Sequence, residues 1–135
     1  MSDTAPSHAG TLDEVLGFEL LEVGEELARA RVEVGRHLMQ PFGLVHGGVY
    51  ATMAESLASV ATYEAVKDDG MIAVGLANQT SFTRPILSGH VNAEARRRHS
   101  GKTTWIWDVE MTDDEGRLCA LSRMTIAVRP DRAGR

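Results

Sequence analysis

The chain has 135 residues, 43% hydrophobic and 24% charged. A chain of this size forms one domain and buries roughly two-thirds of its unfolded surface, enough for a core without disulfides or metal. The single cysteine, Cys119, excludes an intrachain disulfide and zinc-finger spacing, and the formal charge of -5 argues against broad nucleic-acid binding, which needs a basic face.

No apolar run approaches the ~20 residues that span a bilayer. The N-terminus carries neither the basic nor the apolar region of a signal peptide, so a cytoplasmic protein is expected. Residues 1–11 read as a flexible arm, 12–130 as one domain and 131–135 as a tail. Thr11 to Leu16 suits a short helix, with Thr11 as N-cap and Glu14 at the capping-box position. Phe18 to Val23 reads as a strand, and Gly24-Glu25-Glu26 as a turn. Leu27 to Val34 alternates: Ala28, Ala30, Val32 and Val34 on one face, Arg29, Arg31 and Glu33 on the other. That pattern is a half-buried antiparallel strand.

From Gly47 to about Val66 the period changes. Ala51, Ala54, Ala58, Ala61 and Ala65 recur at spacings of three and four, and Met53, Leu57 and Val60 widen the stripe. This is a long amphipathic helix whose small residues permit close approach to a sheet. Gly70 suits the left-handed conformation that ends such a helix. Met71 to Phe82, His90 to His99, Thr103 to Met111 and Leu118 to Val128 read as strands, with Arg129-Pro130 as the stop. Asp113 to Gly116 is a hairpin turn. Trp105 and Trp107 belong to the core or to an interface, and Cys119 reads as an inert buried thiol. Strands segregated from one long helix define an α+β class. One helix cannot cover both faces of such a sheet, so pairing with a second copy is expected.

Two features carry chemistry. His46-Gly47-Gly48 stands at the start of the long helix, where backbone N–H groups lack partners and the dipole is positive. Glycines let a ligand approach that backbone, which is what an oxyanion hole requires. Glu55 is the only Asp, Glu, Lys or Arg between Arg36 and Glu64, with Ser59 one turn later on the same side. Gly47 and Glu55 stand about 12 Å apart along one helix, at ~1.5 Å per residue. Both groups must lie ~3 Å from one reacting carbonyl to act together. An antiparallel pairing of two such helices brings Gly47 of one beside Glu55 of the other, so the spacing argues for a homodimer with shared sites.

The segment Gly43-Leu44-Val45-His46-Gly47-Gly48, with Gln40 six residues before His46 and Glu55 nine after, resembles the hot-dog-fold acyl-CoA thioesterases. Ala73-Val74-Gly75, Thr80-Ser81-Phe82 with Arg84-Pro85, and Gly116 to Ala120 extend the likeness. Within that family it is most similar to the actinobacterial-type, PaaI-like 4-hydroxybenzoyl-CoA thioesterases. The resemblance implies a five- or six-stranded antiparallel sheet wrapped around one helix, and a tetramer built as a dimer of dimers. It implies that Gly47 donates its N–H to the thioester oxygen and that Gln40 binds or polarises the acyl end. It makes His46 a shaper of that corner, Glu55 the nucleophile or base, and Ser59 a group that places water. Gly48, Arg84, Thr103 and Arg132 would bind substrate, the last three at the nucleotide end of coenzyme A. Lys102 stands where the family has serine, and would meet a phosphate. Coenzyme A is part of the substrate; no other cofactor and no metal are expected, nor any nucleic-acid or membrane partner.

Each residue also has a plainer structural reading. Glu55 suits a solvated helix face, His46 a cap, Gln40 a loop-bracing amide, and Ser59 a hydroxyl bonded to its own helix. Arg96-Arg97-Arg98, with His99 and Lys102, suits coenzyme A phosphates or a solvated strand end. Hydrolysis of an aryl-CoA, 4-hydroxybenzoyl-CoA foremost, leads; phenylacetyl or another acyl group stays open. A hydratase or dehydratase of the same fold, and a non-catalytic acyl-CoA binder, are the other classes.

Overall fold

The computed structural model describes residues 8–132; the expectations for residues 1–7 and 133–135 lie outside it. Helix α1 (Leu12–Leu16) begins at Thr11, whose hydroxyl accepts from the Glu14 N–H, and ends at Gly17 in the left-handed conformation. The Glu14 carboxylate reaches back to the Gly10 N–H at 2.8 Å, one residue earlier than a capping box places it. Strands β1 (Glu19–Val23) and β2 (Leu27–Glu33) come next, then a short 3-10 turn (Arg36–Leu38) that the residue pattern did not announce. Helix α2 spans Gly47–Val66, and β3 (Met71–Phe82), β4 (His90–Ser100), β5 (Thr104–Thr112) and β6 (Leu118–Pro130) complete the chain.

The six strands form one antiparallel sheet in the order β1-β2-β4-β5-β6-β3. It wraps α2, which is the hot-dog fold and confirms the α+β expectation. Ala28, Ala30 and Val32 of β2 are buried as their alternation requires. The inward faces of β5 and β6 present Trp107, Val109, Met111, Met124 and Ile126 to Met53 and Leu57 of α2. Ala54, Ala58 and Ala61 are the buried part of the alanine seam; Ala51 and Ala65 lie at its margin. Both tryptophans are core residues of this chain. Trp107 is fully buried, and its indole N–H donates to the Thr62 hydroxyl at 2.9 Å, which donates to the Ala58 carbonyl at 2.8 Å. Thr62→Val keeps the shape and strands the indole N–H, which should cost about 1–3 kcal/mol. Urea unfolding with an unchanged m-value checks it.

Two strand features differ from expectation. β6 runs through Pro130, paired with Met71, rather than stopping before it. The β5 ladder ends at Thr104 opposite Ala127, and the last backbone bond on that side runs from the Val128 N–H to the Thr103 carbonyl, so at Pro130 only β3 flanks β6 and a proline is tolerated. β3 is not uniform either: a bulge between Gly75 and Ala77 leaves Leu76 unpaired and 57% exposed. β3 is an edge strand of twelve residues lying alongside α2. No helix among the described residues is long and apolar enough to cross a membrane.

Candidate active site

The chain reaches α2 through a tight turn. The Gln40 N–H donates to the Leu44 carbonyl at 2.9 Å, Gly43 takes a positive φ of 86°, and the Gln40 side-chain carbonyl accepts from the Phe42 N–H. Gln40 therefore braces the loop with its oxygen, and its NH2 end remains as a donor. His46 is the N-cap of α2, and its Nδ1 accepts from the Gly48 N–H at 2.9 Å. That bond leaves the proton on Nε2 in the neutral ring. Because His46 takes the Gly48 donor, the Gly47 N–H is the first-turn donor left for a ligand. Gly47 lies against the Phe82 ring: a Cβ there would stand 2.8 Å from Phe82 Cζ.

Gln40, Gly47, Tyr50, Phe82 and Arg84 line one cleft of about 440 Å³. Burial pushes the Tyr50 phenol up to about 12, so it stays neutral there and supplies no base. Glu55 sits elsewhere. It lines a cleft of about 610 Å³ with Ser59, Val60, Tyr63, Phe18, Leu20, Ile72 and Ala73. Its carboxylate is exposed and forms no hydrogen bond or ion pair among the described residues, and β3 passes beside it at Gly75, where a Cβ would stand 3.4 Å from the carboxyl carbon, in ordinary contact. The Ser59 hydroxyl likewise makes no bond to its own helix, unlike Thr52 and Thr62, whose hydroxyls donate to Gly48 and Ala58.

The fold thus gathers Gln40, His46, Gly47, Gly48 and Arg84 at one end of α2, and Glu55 with Ser59 at its middle. It does not bring the two groups together within one chain. Lys102 and Thr103 occupy the β4–β5 turn, and Arg132 lies just past β6. The Thr103 carbonyl accepts from the Val128 N–H at 2.9 Å, which ties that turn to the end of β6. The basic triplet is already engaged. Arg96 pairs with Glu94 at 2.9 Å, Arg98 with Asp108 at 3.4 Å, and Arg97 stacks over Trp105. Cys119 is fully buried, and burial pushes its thiol up, so it is no nucleophile. Tyr63, four residues past Ser59, was legible from helical spacing. Phe18, Leu20 and Ile72 were not, because they join the cleft only through the fold.

Comparison with known proteins places this arrangement in a class. The sequence pattern of the thioesterase superfamily matches residues 42–120. The chain is 35% identical to the 1,4-dihydroxy-2-naphthoyl-CoA hydrolase of Listeria monocytogenes, over 90% of this chain and 98% of that protein. Its fold matches the crystal structure of a mutant of thioesterase PA1618 from Pseudomonas aeruginosa with a TM-score of 0.87, at 35% identity, covering 91% of this chain and 88% of the other. A mutant of thioesterase SAV0944 from Staphylococcus aureus matches with a TM-score of 0.85, at 26% identity, covering 88% and 98%.

The chain belongs to the thioesterase superfamily. It is an enzyme that hydrolyses the acyl-thioester bond.

Proposed function

We propose that this enzyme hydrolyses an aryl-CoA to the free acid and coenzyme A, with Glu55 as nucleophile or base and the Gly47 N–H as oxyanion donor. The unpaired Glu55 carboxylate carries this reading, on the wall of a cleft that sets Phe18, Leu20, Val60 and Ile72 beside Asp13, Ser56, Ser59 and Glu64. As nucleophile it attacks the thioester carbonyl, forms an acyl anhydride and expels the thiolate; water then restores the carboxylate. As base it takes a proton from the attacking water. Thiolate is a good leaving group, so neither route needs a general acid at sulfur. In SAV0944 a glutamine and, fifteen positions later, a glutamate were the residues exchanged for alanine. Gln40 and Glu55 have the same separation.

The site is completed by a second copy. The outer edge of β3 is unpaired and antiparallel pairing with its copy would continue the sheet. A two-fold axis beside Asn78 and Gln79 lays Gly75 of one β3 opposite Phe82 of the other. Gly75 marks the position of Glu55 and Phe82 that of Gly47, so this register sets Glu55 of one chain beside Gly47 of its copy. It also carries Arg84 of the second chain toward Ala73, the end of the sheet where Lys102, Thr103 and Arg132 lie and where the nucleotide of coenzyme A would rest. Exposed Val74 and Leu121 suit the second interface of a tetramer. Residues 12–130 would form the whole functional domain.

The resemblance favours 4-hydroxybenzoyl-CoA. The hydroxylated aromatic acyl group in the name of the Listeria relative supports the same class. Thiol release followed with a thiol-reactive dye on benzoyl-, 4-hydroxybenzoyl-, phenylacetyl- and butyryl-CoA tests it. The expected result is fastest release from a benzoyl ester. Release only from butyryl-CoA would refute the aryl assignment, and conversion of a 2-enoyl thioester without free thiol would favour a hydratase.

A further inference from the structure

The hydroxyls of Thr52 and Thr62 bond back to their own helix, at 2.8 Å in both cases. Ser56, next to Glu55, does not. Its hydroxyl donates across to the Asp13 carboxylate of α1 at 2.6 Å, in a partly buried contact between residues 43 positions apart. Helix α1 has five residues, too few to hold itself in place. Leu16 is its only buried residue, while Leu12 and Val15 are 59% and 63% exposed. Leu16 and the Asp13–Ser56 bond seat α1 on α2, while Phe18 packs on the core and Leu20 is paired with Ala30 in the β1–β2 ladder.

The residues just past α1 shape the cleft. Phe18 and Leu20 line it together with Glu55, Val60, Tyr63 and Ile72. A planar ring held beside Glu55 covers more of the wall that Phe18 and Leu20 supply than a short flexible chain does.

We infer that Asp13 and Ser56 are positioning residues that seat the N-terminal segment as one wall of the acyl pocket, and that this wall sets the preference for ring-sized over short acyl groups. The inference rests on the hydrolase reading above. Asp13 and Ser56 border the cleft beside Glu55, but their side chains are bonded to each other, so the wall acts on substrate binding and leaves the chemical step alone.

The test is a kinetic series with benzoyl-CoA and butyryl-CoA on the full chain and on Ser56→Ala, Asp13→Ala, Asp13→Asn and Leu20→Ala. Ser56→Ala and Asp13→Ala should raise KM for benzoyl-CoA about tenfold, in the range of a lost apolar contact. They should leave kcat and the butyryl-CoA KM nearly unchanged. Asp13→Asn keeps an acceptor for the Ser56 hydroxyl and should restore the parent KM. Leu20→Ala removes wall surface from a 40% exposed position without touching the Asp13–Ser56 bond, so it reports on the wall even if the other variants fold poorly. It should also raise only the benzoyl-CoA KM. Equal losses on both esters, a change confined to kcat, an asparagine variant as impaired as the alanine one, or an unaltered Leu20→Ala enzyme would each overturn the inference. A parent protein inactive on every ester would instead overturn the hydrolase reading and this inference with it.

Discussion

Glu55→Gln should lower kcat on the preferred aryl-CoA by at least about a thousandfold, the scale of losing a nucleophile or general base. The substitution keeps the side chain's shape and removes only its charge. Glu55 is exposed and has no ion pair or hydrogen-bond partner among the described residues, so the fold does not depend on it. Surface changes of this kind leave stability within about 0.5 kcal/mol. Activity and stability should therefore separate: release of thiol collapses while the urea midpoint stays at the parent value. Retention of more than a tenth of parental kcat would remove Glu55 from the mechanism.

The second large effect concerns Gly47 and the partner chain. Gly47→Pro deletes the N–H assigned to the oxyanion. Proline is well accommodated at the first helical position, where the donor has no intrahelical partner. The preceding residue, His46, already has φ -65° and ψ 138°, the extended geometry that a proline demands of the residue before it. The remaining cost is steric, since the added carbons meet the exposed Phe82 ring. Gly47→Ala introduces the same Cβ but keeps the N–H and serves as the control. Loss of one oxyanion donor costs about a hundred- to a thousandfold in kcat, so the proline variant should fall that far below the alanine one. Equal activity of the two would place the oxyanion elsewhere.

Mixing then tests the shared site. If each site takes Glu55 from one chain and Gly47 from the other, a dimer of one Glu55→Gln and one Gly47→Pro chain has one doubly damaged site and one intact site. Co-refolding the two inactive variants in equal amounts should restore about a quarter of parental activity, because half the dimers are mixed and each carries one good site of two. A mixture as inactive as its components would mean that Glu55 and Gly47 do not serve one site across chains.

Much of the fold was legible because it is local. The 3.6-residue recurrence of Ala54, Ala58 and Ala61 with Met53 and Leu57 requires a helix with one apolar face, and α2 spans Gly47–Val66 as expected. The alternation of β2 and the paired tryptophans of β5 require strands with one buried face. The bulge at Leu76 was invisible because a single extra residue leaves composition and period almost unchanged. The run of β6 through Pro130 was missed for another reason: a proline stops a strand only where two neighbours compete for its backbone, and sequence does not show where β5 ends.

The same division holds at the site. The sequence by itself determined the chemical pieces: a histidine-capped, glycine-lined helix start, and one carboxylate on an otherwise uncharged stretch of helix. Their separation along the helix comes from the rise per residue alone, and so does the argument for a second chain. Only the tertiary structure decided what surrounds those pieces. It placed Phe18, Leu20 and Ile72 around Glu55, seated α1 through the Asp13–Ser56 bond, and left β3 at the edge of the sheet. Periodicity and capping depend on neighbours within a turn or two, so they can be read along the chain. Contacts between residues tens of positions apart depend on how all the strands pack at once, and no short stretch of sequence carries that information.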